Sequence, residues 1–456
     1  MDIDDLAWQA SNYRGLSPKR VRLLLEHGHL SLVAQVAVDR GEWFCAEGAV
    51  EELCQAGDFG RALSVMEPFV DAGWRAALYA KAEILLRAGR RTEEVLDLVR
   101  PDDSGRTSAA ECRDFAEVLG KAGRVDEAVE LLVPHLDESW LLSVLVDITH
   151  GQGCDERVLE LIAPRADHAR QARGEGRWDY SSAQELQARV LERAGRADEA
   201  IRILGQDIAE RRFLAQNTLI AYAELLGRHG RLDELRELSG GQDAHEVLDI
   251  YAGALRSDGR VEEAEAVMRD AIAADDWVGY RAWLSSMLLA EGRLDDAIAV
   301  AEPGFGWSDC SNLLAPLVYP LLDRPEELLY LVEHPRVVPH HGHEEFQHWW
   351  RAWALAGLGR VDEAITVAGL DRPWTDPRIV KADLLRRAGR LDAAADELRA
   401  LGTIKAREEL CEVLVLQGRV DEAIAVHPTV AEQRAAEPKP EPVPLGKNGY
   451  SLEPPF

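Results

Sequence analysis

Residues 359–364 read GRVDEA, and the same six letters recur at residues 123–128 and 418–423. Close variants read GRADEA, GRVEEA and GRLDDA, and they begin at Gly195, Gly259 and Gly292. Looser copies bring the number of units to thirteen, spaced about 32 residues apart. A repeat of this length is typical of stacked helical hairpins, because a single unit is too short to bury its own apolar face. The repeat therefore predicts an all-α chain, a right-handed α-solenoid of about thirteen antiparallel helical hairpins.

Each unit places small and apolar residues at fixed distances from its turn glycine. In most units a small residue lies seven positions before the glycine and a Leu four positions before it, as Ala352 and Leu355 do before Gly359. This spacing of three puts both on one face of a first helix, which ends at the glycine. The acidic pair after the glycine begins a second helix, where carboxylates meet the positive end of the helix dipole. The Ala five positions after the glycine, here Ala364, is predicted to lie where the two helices touch.

The small residue, the Leu and the Gly-x-ϕ-[DE]-E-A turn together resemble the tetratricopeptide repeat family, over about residues 15–430. The chain divides accordingly into an N-terminal extension at residues 1–14, a repeat array at residues 15–436 and a Pro-rich tail at residues 437–456. The resemblance implies a concave groove, lined by the first helices, that binds a protein or a peptide.

The residue six positions before each turn glycine is rotated away from the buried stripe and is predicted to project into this groove. It is acidic in seven of the thirteen units. These residues are Glu51, Glu83, Glu117, Asp147, Glu224, Asp383 and Glu412. A ridge of carboxylates would attract a basic peptide or protein surface. The alternative is an ordinary solvated helix face that binds nothing.

A cluster of aromatic residues is the second candidate feature of the groove. Phe346, Trp349 and Trp353 are spaced by three and four residues and are predicted to point into the groove, whereas Trp350 is turned aside. Exposed, these rings would form an apolar anchor for a partner. The alternative is an enlarged core between two units.

Composition limits the partners and the compartment. The chain has 81 acidic and 52 basic residues, a formal net charge of −29, which argues against nucleic acid as a general partner. No apolar run is long enough for a membrane span, and the acidic start MDIDDLAWQAS lacks the features of a secretory signal. We therefore expect a cytoplasmic protein without a membrane partner.

Motifs for chemistry are missing from the sequence. There is no P-loop, GxGxxG, GxSxG or HExxH motif, and the six cysteines form no CxxC pair. Residues 334–348 hold five His, but Pro residues break the stretch, and His343 and His348 are five apart, so they lack the same-face geometry of a zinc-protease helix. We expect no catalytic residues, no metal and no cofactor. The sequence favours a non-catalytic protein-interaction scaffold, and the alternative is a regulatory or sensor module that binds a peptide or a small ligand.

Three segments carry further expectations. Pro residues ten to twelve positions past the turn are predicted to close many of the second helices: Pro68, Pro101, Pro134, Pro164, Pro303, Pro335 and Pro428. Residues 165–177, rich in Arg, are predicted to form a solvent-exposed loop. The tail, which alternates Pro with charge, is predicted to be extended and disordered. It is interpreted as a linker or as a recognition segment that docks into the protein's own groove through Tyr450, Leu452 and Phe456.

Overall fold

The regular structure of the described repeats is helical. The computed structural model describes residues 1–102, 105–175, 182–210, 216–241, 244–304, 310–334, 344–368 and 376–437. Within these ranges the chain forms 28 α-helices and four short 3₁₀ helices and contains no β-strand. The all-α, α-solenoid fold class predicted from the repeat is confirmed.

The chain divides into two compact units. Unit 1 comprises Met1–Gly89 and Gly369–Phe456, and unit 2 comprises Arg90–Ala368. The described helices of unit 1 are α1 (Ile3–Asn12), α2 (Pro18–Glu26), α3 (Leu30–Arg40), α4 (Trp43–Gln55), α5 (Phe59–Asp71), α6 (Arg75–Arg87), α24 (Pro377–Arg387), α25 (Leu391–Leu401), α26 (Ile404–Leu416), α27 (Val420–Val426) and α28 (Val430–Ala436). Unit 1 thus combines the first and the last repeats of the chain.

Unit 2 contains the repeats between them. Its described helices are α7 (Thr92–Val99), α8 (Ala109–Lys121), α9 (Val125–Leu132), α10 (Trp140–Ile148), α11 (Asp155–Gly174), α12 (Ala183–Arg193), α13 (Ala197–Glu210), α14 (Gln216–Arg228), α15 (Leu232–Ser239), α16 (Ala244–Ser257), α17 (Val261–Ala274), α18 (Val278–Ala290), α19 (Leu294–Ala301), α20 (Cys310–Val318), α21 (Pro325–Val332), α22 (Glu344–Gly357) and α23 (Val361–Ala368).

The hairpin contact predicted from the repeat is confirmed. The Ala five positions after the turn glycine has no exposed surface in the eight units that carry it: Ala62, Ala128, Ala200, Ala264, Ala297, Ala364, Ala394 and Ala423. The first-helix stripe is buried as well, with Ala352 at 0% and Leu355 at 1% exposure. The turn glycine Gly123 has φ 74°, the left-handed conformation that ends a helix and that glycine adopts without strain. The apolar pattern therefore packs two helices per unit.

The Arg that follows the turn glycine has a structural role that the sequence analysis did not assign. Arg360 forms an ion pair with Glu363, three residues on, at 2.6 Å, and Arg260 pairs with Glu263 in the same way. Some of these arginines also reach an acid of the preceding second helix, as Arg231 does with Asp198 at 2.9 Å. The acids of the motif therefore hold the turn and connect neighbouring repeats.

The prediction that Pro closes second helices is confirmed where α7, α9, α19 and α27 end two residues before Pro101, Pro134, Pro303 and Pro428. It was wrong for Pro68 and Pro164, and the loop predicted over residues 165–177 was wrong for residues 165–174. Pro68 and Pro164 lie inside α5 and α11, which continue past them. In α5 the next residue, Phe69, is fully buried, so its packing favours continuation of the helix. Residues 165–174 are helical because an apolar stripe at a spacing of three continues through them. Its members, Ala166, Ala169 and Ala172, are at most 3% exposed. Residues 176–181 lie outside the described residues.

Candidate functional site

Two hollows in unit 2 lie between consecutive first helices and are lined by predicted groove residues. The first, about 400 Å³ between α8 and α10, is lined by Glu117 and Asp147, with Gly120 between the helices. The second, about 550 Å³ between α14 and α16, is lined by Glu224 and Gly227. In both hollows, the acid six positions before the turn glycine lies one helical turn from a second glycine: Glu117 from Gly120, and Glu224 from Gly227.

The second glycine of each hollow brings the helices close together. A Cβ added at Gly120 would lie 3.3 Å from the Cβ of Ile148, and one at Gly227 would lie 3.3 Å from the Cβ of Ala254. A larger residue would therefore press against the neighbouring helix. Glycine three positions before the turn occurs only in these two units. The sequence alone therefore distinguishes these two units from the others.

Six of the seven predicted acids lie on exposed or half-exposed helix surface. Three belong to unit 1 (Glu51, Glu83 and Asp383) and three to unit 2 (Glu117, Asp147 and Glu224). All six are within ion-pair distance of an Arg on the same or the next first helix: Glu51 with Arg87 (3.5 Å), Glu83 with Arg87 (2.8 Å), Glu117 with Arg113 (3.9 Å), Asp147 with Arg189 (2.9 Å), Glu224 with Arg228 (3.6 Å) and Asp383 with Arg387 (3.0 Å). In each unit these acids therefore belong to surface ion pairs and are not bare negative charges.

Glu412 does not project into an open groove, which corrects the prediction for this residue. It is 6% exposed. Its carboxylate lies 2.8 Å from Lys19 Nζ and 3.3 Å from Arg20 Nε, both on α2. The sequence pattern could not reveal this, because the contact joins residues about 390 positions apart. Glu412 is therefore left out of the candidate partner surface.

The aromatic cluster on α22 is only partly described. Trp350 is 4% exposed, whereas Trp349 and Trp353 are half-exposed, with ring centroids 6.2 Å apart. The side chain of Phe346 lies outside the described residues. Trp349 and Trp353 thus share a face that is open to solvent in part, and their role as a partner anchor stays a prediction.

The first and last repeats meet in unit 1 through a polar contact, here named the terminal joint. Its N-terminal side consists of Asp5, Trp8, Gly15, Lys19, Arg20 and Arg40, and its C-terminal side consists of Glu408, Glu412, Ile424, His427, Gln433, Arg434 and Glu437. Arg20 Nε donates to the Glu408 carbonyl at 3.1 Å, and Arg40 donates to the carbonyls of Ile424 (2.7 Å) and His427 (3.0 Å). The joint contains no signal that a repeat-by-repeat analysis could detect.

Two titratable side chains are buried at or beneath the joint. Burial raises the pKa of Glu42 to about 7, although the Leu16 N–H and Arg40 favour its ionised form. Burial, with Arg20 and Arg40 nearby, lowers the pKa of His427 to about 3. Glu42 Oε1 and both ring nitrogens of His427 have no hydrogen-bond partner among the described residues. At neutral pH His427 is therefore neutral, and ionisation of Glu42 costs free energy.

Other chemistry is limited within the described ranges. No group of three His, Cys, Asp or Glu side chains there could hold a metal ion. The His-rich stretch falls largely outside them, since residues 335–343 are not described. Cys45, Cys54, Cys112 and Cys411 are buried, and Cys154 is half-buried. None of the described helices combines the length and the apolar character needed to cross a membrane. The tail from residue 438 onward is also outside the description.

Comparisons with solved structures give remote likenesses. The Naa15/Naa10 complex bound to HypK-THB has a TM-score of 0.35 and 14% sequence identity, and the match covers 83% of this chain and 66% of the other chain. The Cut9–Hcn1 hetero-tetramer of APC/C has a TM-score of 0.25 and 14% sequence identity, and the match covers 95% of this chain and 98% of the other chain. The pentatricopeptide repeat protein PPR10 in complex with an 18-nt RNA element has a TM-score of 0.35 and 16% sequence identity, and the match covers 93% of this chain and 65% of the other chain. This chain spans about two thirds of the length of the first and third. Likenesses at these scores do not extend to function.

Sequence comparison identifies the repeat itself. No curated protein matches the chain. The family model described as "Tetratricopeptide repeat" matches residues 181–206, 347–369 and 376–400. These matches include the hairpin at Gly359 and the hairpin of α24 and α25, both built as the sequence predicted. The chain is a tetratricopeptide-like helical-repeat protein.

Proposed function

We propose that this protein is a non-catalytic scaffold that binds a protein or peptide partner on the faces of its first helices. The observation that carries the proposal is the pair of hollows in unit 2. Each combines an open concavity of about 400 or 550 Å³ with an acid that the repeat places at its rim. Concave surfaces of this size with a few polar groups are typical of binding sites.

We propose further that the partner presents basic side chains. The side chains of Asp147 and Glu224 are 59% and 54% exposed, and each forms an ion pair with an exposed Arg. Such surface ion pairs are worth about 0–1 kcal/mol, so an incoming Lys or Arg can replace the internal Arg at little cost. The net charge of −29 adds long-range attraction for a basic surface and repulsion for RNA or DNA.

The test is affinity capture from a lysate of the source organism with three baits. The first is the wild-type chain and the second is the variant Glu117→Gln/Asp147→Asn/Glu224→Gln. The third is the control Asp233→Asn/Glu262→Gln/Asp270→Asn, which removes the same charge from exposed positions on the second helices α15 and α17. We expect a partner that the wild type and the control retain and the hollow variant loses.

Salt and nuclease separate the alternatives. Binding by charge should weaken at least tenfold between about 50 and 500 mM salt, because the screening length shortens over that range. A partner that the hollow variant and the control retain equally would place the site elsewhere. Loss of capture after nuclease treatment would show that nucleic acid is the partner and would overturn the proposal.

A further inference from the structure

Buried polar side chains are concentrated at the terminal joint. Fourteen polar or charged residues are buried in the described part of the chain. Half of them lie at or beneath the joint: Gln9, Arg20, Glu42, Glu408, Glu412, His427 and Gln433. In the hairpin at Gly359, by comparison, the helices bury Ala352, Leu355 and Ala364. A polar interface recovers hydration when it separates, so its two faces tolerate exposure to water better than an apolar seam would.

The two sides of the joint are complementary and different from each other. Lys19 and Arg20 face Glu412, and Arg434 pairs with Asp5 in the reverse sense. Gly15 N–H donates to Gln433 Oε1 at 2.9 Å, and Trp8 Nε1 donates to Glu437 at 2.9 Å. This set of donors and acceptors fixes one register between the sides. The contacts are made by the two faces alone. The chain of almost 400 residues between the two sides acts only as a tether.

We infer that the terminal joint is an interaction surface for a second copy of this chain. The N-terminal side of one copy docks on the C-terminal side of another through the contacts now made within one chain. When two copies exchange their terminal contacts in this way, the two internal joints are replaced by two joints between the chains. The pair is then closed, and no joint is lost. Within one chain the tether gives the joint a high effective concentration, and concentrated protein favours the exchange.

The experiment uses two charge-reversed full-length chains. The N-side variant is Asp5→Arg/Lys19→Glu, and the C-side variant is Glu412→Lys/Arg434→Asp. In each variant alone, like charges face each other across the joint. This holds both within one chain and between two copies of the same variant. When the two variants are mixed in equal amounts, a pair of unlike chains contains two joints. In one joint the altered faces meet with opposite charges, and in the other the two unaltered faces meet. We expect the mixture to double in mass by light scattering after gel filtration, while each variant alone stays monomeric.

Two controls keep the test decisive. The chain carrying all four substitutions should close on itself again and remain monomeric in the mixture's buffer. Should the change at buried Glu412 prevent folding, the pair Asp5→Arg and Arg434→Asp serves instead, because these side chains are 35% and 44% exposed at the rim of the joint. A mixture of folded variants that stays monomeric at every protein concentration would overturn the inference. Doubling by either variant alone would also overturn it, because the complex would then not use this joint.

Discussion

Ala364 shows at the residue scale what one side chain contributes to the repeat. It has no exposed surface, and it lies in the hairpin of α22 and α23. Replacing it with Leu adds volume to a closed contact, and we expect Ala364→Leu to lower the free energy of unfolding by about 1–3 kcal/mol. Denaturant titration measures the effect. Thr366→Leu, on the exposed side of the same helix, is the control and should change stability little. An Ala364→Leu variant as stable as wild type would contradict the packing role.

The turn glycine gives a second prediction, which concerns the backbone. At Gly123, with φ 74°, any side chain is strained, although no atom lies within 4 Å of an added Cβ. We expect Gly123→Ala to cost about 1–2 kcal/mol of stability. Gly253→Ala is the matched control: it also has open space around the Cβ but lies inside α16 without a positive φ. There Ala should stabilise the helix by about 0.5–1 kcal/mol. Equal thermal shifts in the two variants would refute the conformational argument.

Glu42 gives a prediction about pH. Its pKa is raised from 4.5 to about 7 by burial, so the folded protein resists ionising this carboxyl, whereas the unfolded chain does not. The fold therefore loses stability as the pH rises from about 4.5 to about 7. We expect Glu42→Gln to gain stability relative to wild type by up to about 3 kcal/mol between pH 4 and pH 8.

Comparing the two proteins at each pH isolates Glu42 from His427. The pKa of His427 is lowered to about 3, so this residue acts in the opposite direction and removes stability as the pH falls through about 6.5 towards 3. That loss is common to wild type and Glu42→Gln. Glu26→Gln, at an exposed position, controls for the change in net charge. A difference between wild type and Glu42→Gln that does not vary with pH would argue against a buried, raised pKa.

At the scale of the element, α2 and α26 stabilise each other although they lie at opposite ends of the chain. Arg20 is the link, because it donates to the Glu408 carbonyl and lies 3.3 Å from the Glu412 carboxylate. Its side chain is 10% exposed and that of Glu412 is 7% exposed. Removing one partner of a buried pair leaves the other charge without compensation in a dry environment. The terminal helices are therefore expected to open as one cooperative element.

Arg20→Ala tests this coupling. We expect a loss of about 1–3 kcal/mol in the stability of unit 1, because the Glu408 carbonyl loses its buried hydrogen bond, whereas Glu412 keeps its ion pair with Lys19. Hydrogen exchange should accelerate in α2 and in α26 together. The control is Arg61→Ala, whose side chain is 52% exposed and 3.8 Å from Asp58, and which should cost less than about 1 kcal/mol. Faster exchange confined to α2 would show that the two ends are not coupled.

At the scale of the whole molecule, the net charge gives a prediction about nucleic acid as a partner. The net charge of −29 repels polyanions, and the attraction of single-stranded RNA to a protein depends mainly on neutralising its phosphates. We expect no shift of an 18-nt RNA in a gel at 50 mM salt, even at micromolar protein. A basic helical-repeat protein is the positive control. Binding of the RNA that weakens with added salt would show that local basic residues overcome the overall field.

Local sequence patterns define the helical hairpin and its repetition. The small residue, Leu, Gly and Ala act within one unit or between adjacent units, and helical periodicity converts their spacing directly into a buried face. The same local logic placed Glu117, Asp147 and Glu224 on the first helices. It failed at Pro68 and Pro164, because packing of Phe69 and Ala166 outweighed the preference of Pro for a helix end.

The tertiary structure alone decided which of these positions are open. Glu412 and Glu224 occupy equivalent places in the repeat, yet one is 7% and the other 54% exposed in its side chain. The difference arises from α2, which lies about 390 residues away and covers Glu412 with Lys19 and Arg20. A repeat pattern encodes contacts between neighbours along the chain. The meeting of its two ends depends on how the stacked units bring distant helices together, and this is visible only in three dimensions.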